Sequence, residues 1–580
     1  MQIEKSLEII AQEALKQTVG RDAAPQLRAA ADPKHGDFQL NAALALAKEL
    51  GKKPREIAEP WAEALRGHPA FQKVEVAGPG FVNLTLSPGW IAEGLRADCQ
   101  DLTHDGIPQA ATPKKIIVDF SSPNIAKQMH VGHLRSTIIG DSIIRLLRST
   151  GHDVHGVNHI GDWGTQYGLL LRGMKEFGDL EALSASPISE LERIYKLASA
   201  RAKEDEEFAE RARAELVLLQ AGAPESLTLW GRFVETTRLE LERAYGRLGV
   251  EFDSWRGESA YNDALGGVVD SLIDKGFARE DQGAIGIFWP EIEAAPARLK
   301  KKAEPFLVKK RDGAFLYATT DIAALLYRDG KLSADEILYV VDARQAGHFE
   351  ELFAVGELLG VRAKLTHVSF GTVLDENGKP LKTRDGVAIT LLSLLDEAEA
   401  RARARIEEGI AEGRLKVPAE RVAETASAVG IGAVKYADLR QNRRTDYQFD
   451  WDKMVSFQGN AGPYLQYAYA RVSSIFERGG ETLSDAQGPI ELEEPAALEL
   501  GRTLARFGEA VLTAAETHQP HLLTDHLFSL AKAFMGFYEA CPILKAEGKT
   551  RQSRLALAAL TARQMKRGLS LLGIAAPERM

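Results

Sequence analysis

The segment that most constrains the fold runs from residue 116 to residue 160. Ile116-Ile-Val-Asp-Phe120 is a short β-rich run. A loop holding Pro123 follows. Next comes a helical pattern from about 131 to 149, apolar at Leu134, Ile138, Ile139, Leu146 and Leu147, with Gly151 beyond its end. Val154 to Ile160 reads as a second strand. Strand, helix and strand in about 45 residues imply two parallel strands joined by a right-handed crossover.

The same rhythm resumes from residue 305. Phe306-Leu-Val and Phe315-Leu-Tyr317 flank Asp312-Gly313, a hairpin signal. A helix is predicted to start after Thr319-Thr320 and to end at Gly330. Strands are predicted at Ile337–Val341 and His367–Phe370, with a helix from Phe349 to Leu359 between them. The stretch 171–300 reads as a mostly helical insertion, with charge runs such as Lys203-Glu-Asp-Glu-Glu-Phe208. The centre of the chain is therefore expected to be an α/β domain, a doubly wound parallel sheet in two halves, 111–170 and 301–395. Ligands bind such sheets at the carboxyl ends of the strands, where strand order reverses.

The flanks differ from the centre. Residues 1–110 read as a separate α/β module, with a helix over Leu40–Leu50 closed by Gly51. Alternating segments at Val74–Val76 and Phe81–Leu86 follow, joined by Gly78-Pro-Gly80. Residues 396–580 read as almost continuous helix, broken by a polar loop at Gly479–Pro489. A chain of 580 residues is expected to hold three or more domains.

Composition excludes some classes. The two cysteines, Cys99 and Cys541, form no C-x-x-C pair, which argues against a zinc or disulfide framework and suits a reducing cytosol. The N-terminal stretch carries acidic residues and no apolar h-region, so a secretory signal is not expected. No run of about 18 apolar residues occurs, so neither is a membrane span. A cytoplasmic protein is expected. The net charge of −10 speaks against a general nucleic-acid coat. Local basic patches remain open at Arg440-Gln-Asn-Arg443-Arg444 and Arg563-Gln-Met-Lys566-Arg567, where solvated helix faces fit as well.

Chemistry is concentrated in Ser121-Ser122-Pro123-Asn124-Ile-Ala-Lys127-Gln-Met-His130-Val-Gly132-His133. Two histidines three apart stand where a loop after a strand enters a helix. Gly132 removes a side chain, and a helix N-terminus offers N–H donors and a positive dipole end to phosphate. With Lys127 as a point charge, this suits a triphosphate and its charged transition state. Taken alone, the tetrapeptide fits a metal site or a structural loop too. His152, His155 and His159 span a turn and a strand, so their side chains are not expected to converge, and no protein-held metal site is predicted.

The string Ser-Ser-Pro-Asn-Ile-Ala-Lys…His-Val-Gly-His-Leu-Arg-Ser-Thr-Ile-Ile-Gly-Asp resembles the arginyl-tRNA synthetases, class I enzymes marked by a His-x-Gly-His signature. Asn158-His-Ile-Gly-Asp162-Trp-Gly-Thr-Gln166-Tyr-Gly is similar to that family's second signature. The resemblance implies ATP with Mg2+, L-arginine and tRNA(Arg) as partners, a monomer, and arginine activation that requires tRNA. It also implies that Ser122, Pro123, Asn124, His130, Gly132 and His133 contact ATP. The family's Lys-Met-Ser-Lys-Ser loop is replaced here by Leu374-Asp-Glu-Asn-Gly-Lys379-Pro-Leu-Lys382-Thr-Arg384-Asp-Gly386. By resemblance, Lys127 compensates, and Lys379, Lys382 and Arg384 are catalytic candidates. A solvated basic hairpin is the alternative reading of that loop.

For arginine, the resemblance assigns Asp119, Tyr317 and Asp321 to the guanidinium, and Asn124 and Gln345 to the α-amino group. The residues themselves suit this. Asp119 is an acid inside an apolar strand, costly unless paired. Tyr317 is placed at a strand end and Asp321 at a helix start, although an aspartate in a first helical turn also simply suits the dipole.

The N-terminal module resembles the family's tRNA D-loop domain through Gly36-Asp-Phe-Gln39…Asn41 and Gly78-Pro-Gly-Phe81-Val-Asn83. Phe81 suits base stacking or core packing, and Asn83 base-edge reading. The C-terminal helices resemble the anticodon-binding domain, through Asn460-Ala-Gly-Pro-Tyr464-Leu-Gln-Tyr467-Ala-Tyr469-Ala-Arg471, Phe537-Tyr538-Glu-Ala-Cys541-Pro and Pro577-Glu-Arg-Met580. Tyr464, Tyr467, Tyr538 and Met580 are the tRNA candidates, with helix packing the alternative for each tyrosine. Two rivals share the histidine motif: a nucleotidyltransferase acting on another substrate, and a tRNA-binding paralogue without activity.

Overall fold

The structure is a computed structural model; it describes residues 2–30, 32–125, 128–375, 377–381 and 389–580. The chain forms two compact units. One comprises 111–404 with 430–455; the other comprises 1–110, 405–429 and 456–580.

The first unit is built on a five-stranded parallel sheet. Its strands in chain order are β1 (Lys115–Asp119), β2 (Asp153–Asn158), β3 (Ser254–Trp255), β4 (Glu336–Tyr339) and β5 (Lys364–His367). Their order across the sheet is β5-β4-β1-β2-β3, with Asp119 aligned to Val157 on one side and Tyr339 on the other. The chain moves outward from β1 in both directions, so the reversal of strand order falls between β1 and β4. Helices α1 (Val131–Ser149), α2 (Pro224–Leu248), α3 (Tyr317–Gly330) and α4 (Ala346–Leu359) belong to this unit.

Ile117 and Ile337 of the sheet pack with Ile322 and Leu325 of α3 and with Leu352 and Val355 of α4. On α1, Gly140 lies against Phe120; a Cβ there would come within 2.4 Å of the ring, so the helix sits close because that side chain is missing. The insertion has its own core, in which Trp163, Tyr167, Leu171, Ile194 and Phe233 cluster.

Several sequence expectations are corrected. The stretch 171–300 also holds a hairpin that sequence did not reveal: Arg279–Asp281 and Ala284–Ile287 pair, and Phe306–Lys309 beyond it completes a three-stranded antiparallel sheet. Its tight turn uses Gln282 and Gly283 at φ 51° and 85°, the left-handed pair that a two-residue hairpin demands. Phe315-Leu-Tyr317 is not a strand; Phe315 makes one bridge to Lys309, and Tyr317 opens α3. The last strand of the parallel sheet is Lys364–His367, ending where a strand was predicted to begin.

The second unit joins the N-terminal residues to the C-terminal helices. Four antiparallel strands, in the order Leu27–Ala29, Phe38–Leu40, Phe81–Leu86, Phe71–Ala77, carry the N-terminal part. Trp61 is buried there and donates its indole N–H to the Ala11 carbonyl at 2.9 Å. The C-terminal part runs through five helices, from Gly462–Gly479 to Gly548–Leu571. Arg563 lies inside this unit and not on a basic face: it bonds Asp105 at 2.9 Å and the carbonyls of Cys99 and Asp98. Arg443, in the first unit, is buried likewise, and burial pulls its guanidinium down to about 10. Neither arginine belongs to an open basic patch.

Candidate active site

The loop after β1 is strained and fully used. Ser121 and Ser122 both take positive φ, 70° and 46°, which non-glycine residues adopt at a cost of about 1–3 kcal/mol. The surroundings hold them there. Ser121 donates its N–H to Ser136 Oγ at 2.8 Å, and its hydroxyl meets Thr137 and Tyr245. Ser122 donates its N–H to Asn158 Oδ1 at 3.1 Å and its hydroxyl to Asp119 Oδ1 at 2.8 Å. Asn124 is exposed and bridges Gly161, where a Cβ would strike Asn124 Oδ1. Pro123 is buried and accepts the Gly161 N–H.

The histidine motif caps α1. His130 Nδ1 accepts the Gly132 N–H at 3.0 Å, and His133 Nδ1 accepts the His130 N–H at 3.2 Å. A neutral imidazole whose Nδ1 accepts carries its proton on Nε2. In that tautomer each ring carries its N–H on Nε2, and the ring centroids are 4.1 Å apart. Any Cβ at position 132 would come within 2.7 Å of the His130 ring, so Gly132 is what allows the cap. Together these groups form a donor cradle at a positive helix end.

Across the reversal point lies an acidic group. Asp321, one turn into α3 and not at its start, receives His348 Nε2 at 2.7 Å. His159 Nε2 stands 3.9 Å from its other oxygen, while His159 Nδ1 lies 3.1 Å from the Arg256 carbonyl. Tyr317, 63% exposed, has its ring 5.1 Å from that of His348. Glu258 faces the same place: burial first, then the charges of Asp321 and Asp162, push its carboxyl up to about 8. Gln345 is exposed at the end of the short turn Ala343–Gln345 that leads into α4.

Asp119 is buried with its charge already met. Its Oδ2 accepts from Arg328 at 2.7 Å, and Arg328 is itself 1% exposed. Sequence reasoning named Asp119 without this partner and did not single out Glu258 or His348. Arg328 lies 209 positions away in sequence, and Glu258 comes near Asp321 only through the fold. The run Gly257-Glu258-Ser259 after β3 was the available signal, an acid at a strand's carboxyl end.

Of the remaining candidates, Lys127, Lys382 and Arg384 lie outside the described residues. Lys379 is exposed in a turn with Asp375, whose side chain accepts the Lys379 N–H at 2.9 Å. Among the described residues, no group of three or more His, Cys, Asp or Glu side chains is placed to hold a metal ion. His152 bonds Lys114, and His155 bonds Ser254.

In the second unit, Asn83 is buried and receives the Gln39 amide at 2.9 Å, and Phe81 is half-buried at the strand end. A polar hollow of about 130 Å³ lies beside Asn83, lined by Lys34, His35, Asp37, Lys73 and Arg502. Tyr464 packs edge-on against Phe528, Tyr467 is half-buried, and Met580 is buried. Tyr538 lies under the Arg471 guanidinium at 4.9 Å and takes a bond from Arg478, which lowers its hydroxyl's pKa.

A doubly wound parallel sheet with a histidine-capped helix after β1 and an acidic group in the first turns of α3 is the arrangement of the class I type of nucleotide-activating synthetase. Comparison with known proteins agrees. Residues 99–451 match the class I (R) tRNA synthetase catalytic domain, 4–86 the arginyl-tRNA synthetase N-terminal domain, and 465–580 the DALR anticodon-binding domain. The arginine–tRNA ligase of Azotobacter vinelandii is 46% identical, covering 97% of this chain and 96% of that protein. That of Alteromonas mediterranea is 44% identical, covering 98% of each. The solved arginyl-tRNA synthetase of Plasmodium falciparum superposes with a TM-score of 0.83 at 28% identity, over 100% of this chain and 99% of that one. The chain belongs to the arginyl-tRNA synthetase family.

Proposed function

We infer that this enzyme activates L-arginine with ATP and esterifies it to tRNA. The observation that carries the reading is the pair of carboxylates Asp321 and Glu258, close enough for the charge of one to raise the pKa of the other, with the exposed Tyr317 one turn before Asp321 on α3. A guanidinium is a planar fork of donors and is matched best by carboxylates. We therefore give the guanidinium to Asp321, Glu258 and Tyr317. Asp119, saturated by Ser122 and Arg328, sets the shape of the loop instead. Asn124 and Gln345, both exposed at strand ends, are placed to take the α-amino group.

In the first step an arginine carboxylate oxygen attacks the α-phosphorus of ATP, and pyrophosphate leaves. The Nε2–H donors of His130 and His133 stabilise charge on the phosphoryl oxygens. Lys127, Lys379, Lys382 and Arg384 are proposed to add cationic charge there. Mg2+ belongs to the nucleotide in this reading, since phosphate oxygens are its natural ligands. In the second step the 3′-terminal ribose hydroxyl of tRNA attacks the adenylate carbonyl, and AMP leaves. The hollow at Asn83 and the Arg471–Tyr538 stack are proposed tRNA contacts, suited to phosphate and to unstacked bases. A cytoplasmic monomer completes the reading; Cys99 and Cys541 are unpaired and buried, which suits a reducing compartment.

ATP–pyrophosphate exchange with each amino acid, with and without tRNA, tests this. Exchange is expected with arginine when tRNA is present. A preference for another amino acid would overturn the assignment, and tRNA binding with no exchange at all would favour a paralogue without activity.

The raised Glu258 carboxyl gives a pH dependence. Near pH 7 the empty site holds Glu258 largely protonated, whereas a bound guanidinium favours the carboxylate. Binding therefore releases a proton, and the arginine KM is expected to fall as pH rises from 6 to 8, by up to about tenfold per pH unit. Glu258→Gln should flatten the profile. A KM already flat in the unaltered enzyme would remove Glu258 from the pocket.

A further inference from the structure

We propose that a cavity at the outer edge of the parallel sheet is a second small-molecule site, one that takes a carboxylate carried on an aromatic body. The cavity holds about 410 Å³, within the range of small-molecule pockets. It lies between α2, which lends Val234 and Arg238, the strands β2 and β3, and the second half of α3.

Its head group is Arg256. The guanidinium carbon stands 4.0 Å from the Tyr327 ring centroid and 4.9 Å from that of Tyr261, in the corner made by these two rings, which meet edge-on at 5.9 Å. Among the described residues no carboxylate forms an ion pair with Arg256, and its Nε is buried without a hydrogen-bond partner. Buried donors of charged groups are normally met, and a missing partner calls for an explanation. The other charges around the cavity are already spent. Arg238 pairs with Glu242 and covers Trp255, and Arg328 pairs with Asp119. Asp162, the one acid in the lining, accepts the Ser259 N–H and hydroxyl, and burial raises its pKa. The uncompensated charge is therefore positive, and its natural complement is a carboxylate. The rest of the wall selects the body: Trp255, Tyr261 and Tyr327 offer ring faces and edges, and Val157, Val234 and Leu332 offer aliphatic surface.

The cavity shares no lining residue with the proposed arginine pocket. Gly257, Ser259, Ala260 and Tyr261 line it, whereas Glu258 between them does not, although it feels the charges of both Asp321 and the lining residue Asp162. Tyr317 and Asp321 do not line it either.

Isothermal titration of the full-length enzyme with 2-naphthoate, and with the uncharged 2-naphthalenemethanol, tests the proposal. One naphthoate is expected per chain, with the alcohol at least about tenfold weaker, the loss expected for a charge-assisted bond. Excess arginine and ATP should leave naphthoate binding unchanged. Val234→Trp, which fills the cavity from α2 and leaves every charge in place, should abolish binding. Arg256→Met should weaken naphthoate at least about tenfold and bring the two probes together. Equal affinity for the two probes, displacement by arginine or ATP, persistence in Val234→Trp, or no binding at millimolar concentration would each overturn the proposal. The probe comparison and the competition use the unaltered enzyme, so they decide the matter even if a variant fails to fold.

Discussion

Replacing Asp321 by asparagine is expected to raise the KM for arginine by about 100-fold and to change the KM for ATP little. The estimate follows from the chemistry of the pocket. A guanidinium entering beside Tyr317 loses its hydration and must be repaid by charge-assisted bonds. Removing one charge of such a pair costs about 3 kcal/mol, roughly two factors of ten. Asparagine is nearly the same shape and can still accept from His348, so the loss would report charge and not packing. The proposed triphosphate site lies on another element, the start of α1, which is why ATP is expected to be spared. A second effect should travel with the first. The charge of Asp321 helps to hold Glu258 protonated, so the pH dependence of arginine binding should move to lower pH in the variant. Steady-state kinetics of pyrophosphate exchange at several pH values reads both. An arginine KM within threefold of the parent would take Asp321 out of the pocket.

The other large effect is expected at Asp438. Arg135, two residues beyond the histidine motif, is 1% exposed and bonds Asp438 at 3.0 Å, and Asp438 also accepts the Tyr447 hydroxyl at 3.0 Å. Arg135 further donates to the Gly371 carbonyl at 2.6 Å and lies over the rings of Phe370 and Tyr447. Asp438→Ala leaves a fully buried guanidinium without its counter-charge and is expected to destabilise this unit by about 3–5 kcal/mol. Chemical unfolding followed by circular dichroism measures it; a loss below 1 kcal/mol would show that the pair is not a structural tie. The triple variant Arg135→Met, Asp438→Leu, Tyr447→Phe, which also removes the hydroxyl bonded to Asp438, is expected to recover most of the stability, since apolar residues of similar volume replace buried ion pairs at little cost. Activation should not recover with it. Gly371 begins the segment leading to Lys379, and without the Arg135 bond its place relative to α1 is no longer fixed.

Much of this architecture is legible in the amino-acid order. The crossover from Ile116 to Ile160 could be drawn from periodicity, because an apolar stripe on α1 and two β-rich runs leave few other arrangements. The helix from Val131 to Ser149 lies where the pattern places it. The hairpin at Gln282-Gly283 was hidden because its strands are only three and four residues long and sit within a charged, mostly helical stretch. Tyr317 was misplaced because aromatic residues favour strands locally, whereas the packing of α3 on the sheet decides the helix start. At the site, sequence singled out candidate residues more readily than the partners that hold them in place. Asp119 was visible as a buried acid, and Arg328 was not visible as its partner. Asp321 stood out, while Glu258, His348 and Arg135 act through distances that only folding creates.

The capping of α1 by its own histidines has a consequence for how this enzyme is dissected. The Nδ1 atoms of His130 and His133 cap the helix, while their Nε2 atoms are the donors proposed to meet phosphate. Foundation and instrument are one side chain. An alanine at either position removes a donor from the cradle and also a cap worth about 1 kcal/mol, so the helix end shifts along with the chemistry. Kinetic losses at these two positions therefore combine two causes, and they cannot be ranked against losses at Asp321, where scaffold and charge come apart. Asparagine at position 130 keeps a capping oxygen but not the Nε2 donor at its original reach, and comparing it with alanine separates the two contributions.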